Sequence, residues 1–282
     1  MTEKDRSMSR PDPAEGDPTL VKNFDTGSHK SFYEYYAKQS LSDATMQRFA
    51  GIAETVLRMH GAGKSHGPLD VIDIGCGAGA QSRLWTDRKH RYQGVDINAP
   101  LIGLAKERAL ADGVEARFDV ASATQLPFAD ASFDICLVPE LLEHVQDWQS
   151  CLNEAVRVLR PGGTLYVSTS NWLCPKQAEF NLPMYSWYPG FVKRYVERRS
   201  VTDWPEVANF AKYPAVHWFS YYQLRRYLRP LGFQCADRFD VMRLDNKTAL
   251  QRLVVSMIKA FPPVRLLGQM LTAGTVVIAR RG

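Results

Sequence analysis

Residues 70–80 read DVIDIGCGAGA, an apolar run that enters three glycines on alternate positions, Gly75, Gly77 and Gly79, with the carboxylate of Asp73 two residues ahead of them. Glycine in such a turn lets the backbone approach a ligand that any side chain would exclude, so the stretch reads as a nucleotide-binding turn. Gly75, Gly77 and Ala80 also satisfy the dinucleotide pattern G-x-G-x-x-G/A, which alone is a weak signal. Asp96, closing the stretch GVD, can accept both hydroxyls of a ribose, a group common to either kind of adenosine cofactor. Asp73 discriminates between them, because a carboxylate expected in the ligand crevice suits a cationic amino-acid moiety and repels a pyrophosphate. Farther along, PELLEHV at 139–145 brings Glu140, Glu143 and His144 together. An imidazole titrates near neutrality, which makes His144 the candidate general base. The competing reading is that Glu143 and His144 only cap and order that turn.

These residues need a frame. Strand patterns at 69–74, 91–96, 114–119, 133–138 and 164–169 alternate with a helix after Gly79 and helices at 99–111 and 147–159. Alternation of this kind predicts an α/β fold with a parallel, doubly wound sheet, and places the loop after the first strand against a cofactor. Helical spacing between Ser31 and His60 (Phe32, Tyr35, Tyr36, then Phe49, Ile52, Ala53, Val56, Leu57) predicts one or two helices ahead of the sheet. After Asn171 the rhythm breaks. Residues 171–219 are rich in proline and tryptophan and read as an insertion; a helix at 220–230, a strand near 233–242, a helix near 248–260 and a last strand at 274–281 follow.

The 282 residues carry 35 basic and 30 acidic side chains, a net +5 too small and too dispersed to demand nucleic acid. Five cysteines without a C-x-x-C pair argue against a disulfide framework or a zinc knuckle and for a reducing, cytoplasmic compartment. The first twenty or so residues are polar, with acids and prolines where a signal peptide needs an apolar stretch, and no uncharged apolar run is long enough to span a bilayer.

Together with VIDIGCGAG and GVDIN, the stretches ATQLPFADASFDICLV (123–138), LLEHV (141–145) and VLRPGGTLYVS (158–168) resemble the class I S-adenosylmethionine-dependent methyltransferases, and within them the ubiquinone-biosynthesis type of small-molecule O-methyltransferase. The resemblance covers residues 69 to 169. It implies a Rossmann-like sheet of seven strands with an antiparallel last strand, and an inserted cap after strand five. It implies that the loop Gly75, Cys76, Gly77, Gly79 passes under the methionine part of S-adenosylmethionine, that Asp73 positions its ammonium group, and that Asp96 holds the ribose with Ile97 on the adenine. Ala123 falls where neighbours bond the adenine amino group. Relatives commonly have an acid just before it, where this chain has Ser122, so either Ser122 or the nearby Asp119 takes that contact. In ubiquinone-type relatives an E-x-x-E-H stretch is associated with a divalent metal, which gives Glu140, Glu143 and His144 a further reading; the expectation here is no metal.

The expected organisation is a flexible leader (1–22), an N-terminal helical lid (23–66) with Tyr33, Tyr35 and Tyr36, a cofactor-binding core (67–170), a substrate cap (171–219) and the remainder of the core with strands six and seven (220–282). In the cap, Trp172, Tyr185, Trp187, Tyr188, Tyr213 and Trp218 can wall a pocket or pack on one another, His217 is a reserve base, and Lys193, Arg194, Arg198 and Arg199 are either an anion site or a solvated helix face. The expected partner is a small-molecule methyl acceptor, an aromatic, quinone-like or natural-product hydroxyl, with a sugar, lipid, nitrogen or carbon acceptor as alternatives and a non-catalytic cofactor-binding protein as the rival class. Nucleic acid is not expected, since PELL replaces an N/D-P-P-Y/F tetrapeptide. Peripheral membrane contact through the basic C-terminal region is a minority reading, and the oligomeric state stays open.

Overall fold

The computed structural model describes residues 40–61, 67–176, 179–208, 215–245 and 247–282. In chain order these form α1 (Asp43–His60), β1 (Asp70–Ile74), α2 (Ser82–Thr86), β2 (Arg91–Asp96), α3 (Ala99–Ala111), β3 (Ala116–Val120), β4 (Phe133–Pro139), α4 (Trp148–Val158), β5 (Leu159–Ser170), α5 (Gly190–Ser200), α6 (Tyr221–Leu228), β6 (Phe233–Asp237), α7 (Arg238–Val241), α8 (Ala249–Ala260), α9 (Pro262–Met270) and β7 (Gly274–Arg281). The seven strands make one sheet in the order β3-β2-β1-β4-β5-β7-β6. Strands β1 to β5 pair in parallel, and β7 runs antiparallel to both of its neighbours.

Both faces of the sheet are covered, as a parallel sheet requires. On one face Ile72, Ile74, Val138, Leu165 and Val167 pack against Leu152, Ala155 and Val158 of α4 and Leu224 and Leu228 of α6. On the other, Val71, Ile135, Leu137 and Tyr166 meet Ile52, Ala53 and Val56 of α1 and Ile102, Ala105 and Ala109 of α3. At the strand entries Arg160 Nη1 donates to Asp70 Oδ2 and Asp134 Oδ2, each at 2.8 Å, fastening β1, β4 and β5 at the end away from the crevice. The strand order reverses between β1 and β4, and a crevice therefore opens at their carboxyl ends.

Several expectations change. Residues 43–60 of the expected lid are a layer of the core, with Ala53 and Val56 fully buried. The leader, the lid tyrosines Tyr33, Tyr35 and Tyr36, and Tyr213 of the cap lie outside the described residues. The strand expected near 233–242 ends at Asp237, whose side chain accepts from the backbone N–H of Phe239 and Asp240 and so starts α7. The cap contains a helix, α5, and a second helix, α9, follows α8 in the excursion between β6 and β7.

Candidate active site

The turn after β1 is locked to the end of β2. Gly75 and Cys76 both donate N–H to Val95 O, at 2.8 and 3.0 Å, and Gly77 N–H donates to Asp96 Oδ2 at 2.9 Å. Gly75, Gly77 and Gly79 all have positive φ, the left-handed region that glycine enters without strain. A Cβ on Gly79 would stand 2.7 Å from the Phe118 ring, and one on Gly94 of β2 would meet both Phe118 and Cys76 Sγ at 2.7 Å. The missing side chains of the turn and of β2 thus let the turn pack closely on Phe118.

Asp96 also accepts from Asn98 N–H at 2.8 Å. Burial raises its pKa, and the N–H groups of Asn98 and Gly77 oppose that rise. Beside it, Ala121 N–H donates to Asp96 O at 3.1 Å, which brings Ser122 and Ala123 to the same end of the sheet as Asp96. Ile97 is 38 % exposed, leaving a flat apolar face uncovered there. Ser122 Oγ bonds Thr124 Oγ1, whereas Asp119 already accepts from Gln93 Nε2 at 3.0 Å.

Asp73 corrects an expectation. It lies in the core, 1 % exposed, because it is still inside β1, between Gly94 of β2 and Leu137 of β4. Tyr92 Oη and Gln81 Nε2 both donate to its Oδ2, at 2.6 and 3.0 Å, and its Oδ1 has no partner. Burial pushes its pKa up to about 7; the nearby Asp96 adds to this, and the Tyr92 and Gln81 hydrogen bonds pull it back. Tyr92 and Gln81 carried no motif. The signal was alternation, since Tyr92 and Gly94 share a face of β2, and the glycine leaves room for the Phe118 ring against which Tyr92 packs edge-on.

After β4, Glu140 takes a left-handed φ of 49°, rare for a residue with a Cβ, and its N–H donates to Ser168 O. The following turn, Leu142–His144, divides its two polar residues. His144 is exposed. Glu143 is fully buried, neither of its carboxylate oxygens has a partner, and burial followed by the charge of Glu140 pushes its pKa up to about 8. Glu140, Glu143 and His144 do not converge, and among the described residues no group of three or more such side chains is arranged to hold a metal.

The return of the cap docks on this turn, with Val216 and His217 donating N–H to Glu143 O at 2.9 and 3.1 Å. Phe180, Tyr185, Val196, Val207 and Ala208 form the cap's own core, so Tyr185 packs rather than faces a ligand. The basic run is divided as well: Lys193 Nζ turns inward, donating to Ser186 O at 2.7 Å and lying 4.3 Å from the Trp218 ring, while Arg199 pairs with Asp203 at the surface. Between the cap and the start of α6 lies a cleft of about 420 Å³ lined by Trp172, Ser186, Lys193, Val216, His217, Trp218 and Gln223. His217 Nε2 is 3.0 Å from Gln146 O. A carbonyl only accepts, so Nε2 carries the proton and Nδ1 of the neutral ring is left as the basic nitrogen.

The glycine cradle beside the Asp96 carboxylate fits a nucleoside cofactor. Comparison with known proteins agrees. Residues 72–167 match the family described as "Methyltransferase domain". A malonyl-[acyl-carrier protein] O-methyltransferase of Serratia marcescens is 33 % identical over 112 residues, 40 % of this chain and 42 % of that protein. A ubiquinone biosynthesis O-methyltransferase of Rhizobium rhizogenes is 38 % identical over 111 residues, 38 % of this chain and 45 % of that protein. The chain thus spans less than half the length of these curated relatives. In fold it is similar to an S-adenosylmethionine-dependent methyltransferase from Mesorhizobium loti, with TM-score 0.51 at 20 % identity, covering 80 % of this chain and 98 % of that one. Residues 72–167 are therefore a methyltransferase domain, set in a fold similar to that of class I S-adenosylmethionine-dependent methyltransferases.

Proposed function

We propose that the whole chain methylates an oxygen of a ring-containing small molecule bound in the cleft between the cap and the start of α6. The observation that carries this reading is His217, which lines the cleft with its Nδ1 left as the basic nitrogen. The Gly75–Gly79 turn and Asp96 would hold S-adenosylmethionine, with Ile97 against the adenine, Ser122 and Ala123 at its amino group, and Asp73 supporting the turn from the core through Gln81 and Tyr92. When bound, that cofactor supplies a methyl group already activated on a sulfonium. What is left to the chain is to orient the acceptor oxygen behind the methyl carbon and to take its proton. Trp172 and Trp218 suit the flat face of an aromatic or sugar ring, and Ser186, Lys193 and Gln223 supply polar contacts at the rim. His217 replaces His144 as the proposed proton acceptor, because His144 is not among the residues lining the cleft.

The test is formation of S-adenosylhomocysteine by the full chain with panels of phenols, quinol precursors and sugars. Turnover with a hydroxyl compound, and none with its O-methylated form, supports the reading. Tight S-adenosylmethionine binding without turnover of any panel member would favour the non-catalytic class instead.

A further inference from the structure

The excursion between β6 and β7 buries little of its apolar surface. Leu250, Leu253, Val254 and Met257 of α8, Phe261 at its end, and Leu266, Leu267 and Leu271 on and beyond α9 are all exposed, Leu250 at 70 % and Leu271 at 85 %. On α8 the spacing 250, 253, 254, 257, 261 is one continuous stripe, whereas Arg252 and Lys259 stand on the opposite face. The domain takes neither side fully; Val255 is the buried residue of α8.

The hairpin is nonetheless fixed in place. Asp237, fully buried at the end of β6, accepts from Arg265 Nε at 2.9 Å and Gln269 Nε2 at 2.6 Å. Asn171, just beyond β5, donates its side-chain amide to Gln269 O and Thr272 O, each at 2.8 Å. An ordered hairpin with an uncovered apolar stripe is a docking surface, and the charge around it selects the partner.

From Arg243 to Gly282 the chain has seven basic residues and one acid, Asp245. Arg243 pairs with Asp245, and Arg265 is held by Asp237 and Asp240. Arg252 donates only to the backbone oxygens of Lys247 and Asp245, and Lys259 to that of Asp240, so their charges are not neutralised by a carboxylate. A second copy seated stripe to stripe would bring two such basic segments together with one acid apiece to offset them. A surface of anionic lipid headgroups offers the opposite charge along with an apolar interior for the leucines. No described helix is long and apolar enough to cross a membrane, so the contact is an in-plane one.

We propose that α8 and α9 dock this protein on the surface of a bilayer rich in anionic phospholipid, with the stripe from Leu250 to Leu271 inserted at the headgroup boundary and Lys247, Arg252 and Lys259 held by the surface potential. Co-sedimentation of the full chain with vesicles of phosphatidylcholine alone, and of an equimolar mixture with phosphatidylglycerol, tests it. Binding is expected only to the mixture and falls at least about tenfold when salt is raised or when Lys247→Gln and Lys259→Gln are combined, since surface attraction is screened and shared among the cations. Leu250→Glu with Leu253→Glu is expected to abolish it. These side chains are exposed, so S-adenosylmethionine affinity and the thermal midpoint of every variant should match the parent. Three results would each overturn the proposal: no binding to the mixture, equal binding by the leucine variant, or a concentration-dependent dimer that the leucine variant dissociates.

Discussion

The two halves of the site are built differently. Around β1 and β2 the cofactor half is made of backbone: N–H groups of Gly75, Cys76 and Gly77, positive φ angles, and glycines at 79 and 94 whose Cβ atoms would collide with Phe118. Beyond β5 the proposed acceptor half is made of side chains carried by an insertion with its own small core, opened as a cleft between Trp172, Lys193, His217 and Trp218. Backbone recognition requires a short, fixed spacing and suits a ligand that never changes. Side-chain recognition tolerates a new sequence and suits a ligand that differs from one relative to the next. The matched family ends at residue 167, where the second half begins.

Substitutions should separate the halves. The largest effect is expected from His217→Gln, which should lower kcat by about 10²–10⁴-fold while leaving S-adenosylmethionine affinity, measured by calorimetry, unchanged; His144→Ala should leave kcat within about threefold of the parent, since a surface group off the reacting atoms contributes little. If the two histidines exchange these outcomes, the base lies on the turn after β4. Next comes Asp96→Ala, which removes a charged acceptor and should weaken S-adenosylmethionine binding by about 1.5–3 kcal/mol, with the acceptor KM unaffected.

The smallest effect is on stability against pH. Asp73 and Glu143 have folded pKa values raised to about 7 and about 8, so the folded chain holds protons that the unfolded chain has released. Stability must then fall as pH rises from the ordinary carboxylate range toward those values, by on the order of 1 kcal/mol per pH unit, and level off above about pH 8. Asp73→Asn should reduce that slope below about pH 7 in thermal melts, and Glu143→Gln should reduce it up to about pH 8. Absence of that slope would mean that both groups are ionised in the folded state.

The cofactor half was legible because its physics is local. The bounds of β2, α3 and β7 follow directly from alternation and helical spacing, and Asp96 falls where a strand end must place it. Asp73 was misplaced in the crevice because sequence gives the strand but not its register, and the register sets Asp73 between Gly94 and Leu137. Helix α5 was hidden because only Val196 and Ser200 of its eleven residues are buried, too few to mark a stripe. Helix α9 was hidden because Pro262 and Pro263 read as a break, whereas proline in a first turn loses no hydrogen bond. The role of His217 depends on Gln146, 71 positions away, a pairing that no spacing rule contains.

Asn171 joins the two insertions through a single amide. Its side chain holds the carbonyls of Gln269 and Thr272 at the base of the hairpin, while its own backbone N–H donates to Ala273 O just as the chain leaves for the cap. For anyone recombining parts among relatives, cap and hairpin are consequently one cassette. A chimera that imports the cap but not Asn171 loses the side-chain amide that ties β5 to Gln269 O and Thr272 O, and one that imports the hairpin alone meets a foreign side chain at the same post. The unit of exchange is the whole stretch from 171 to 273.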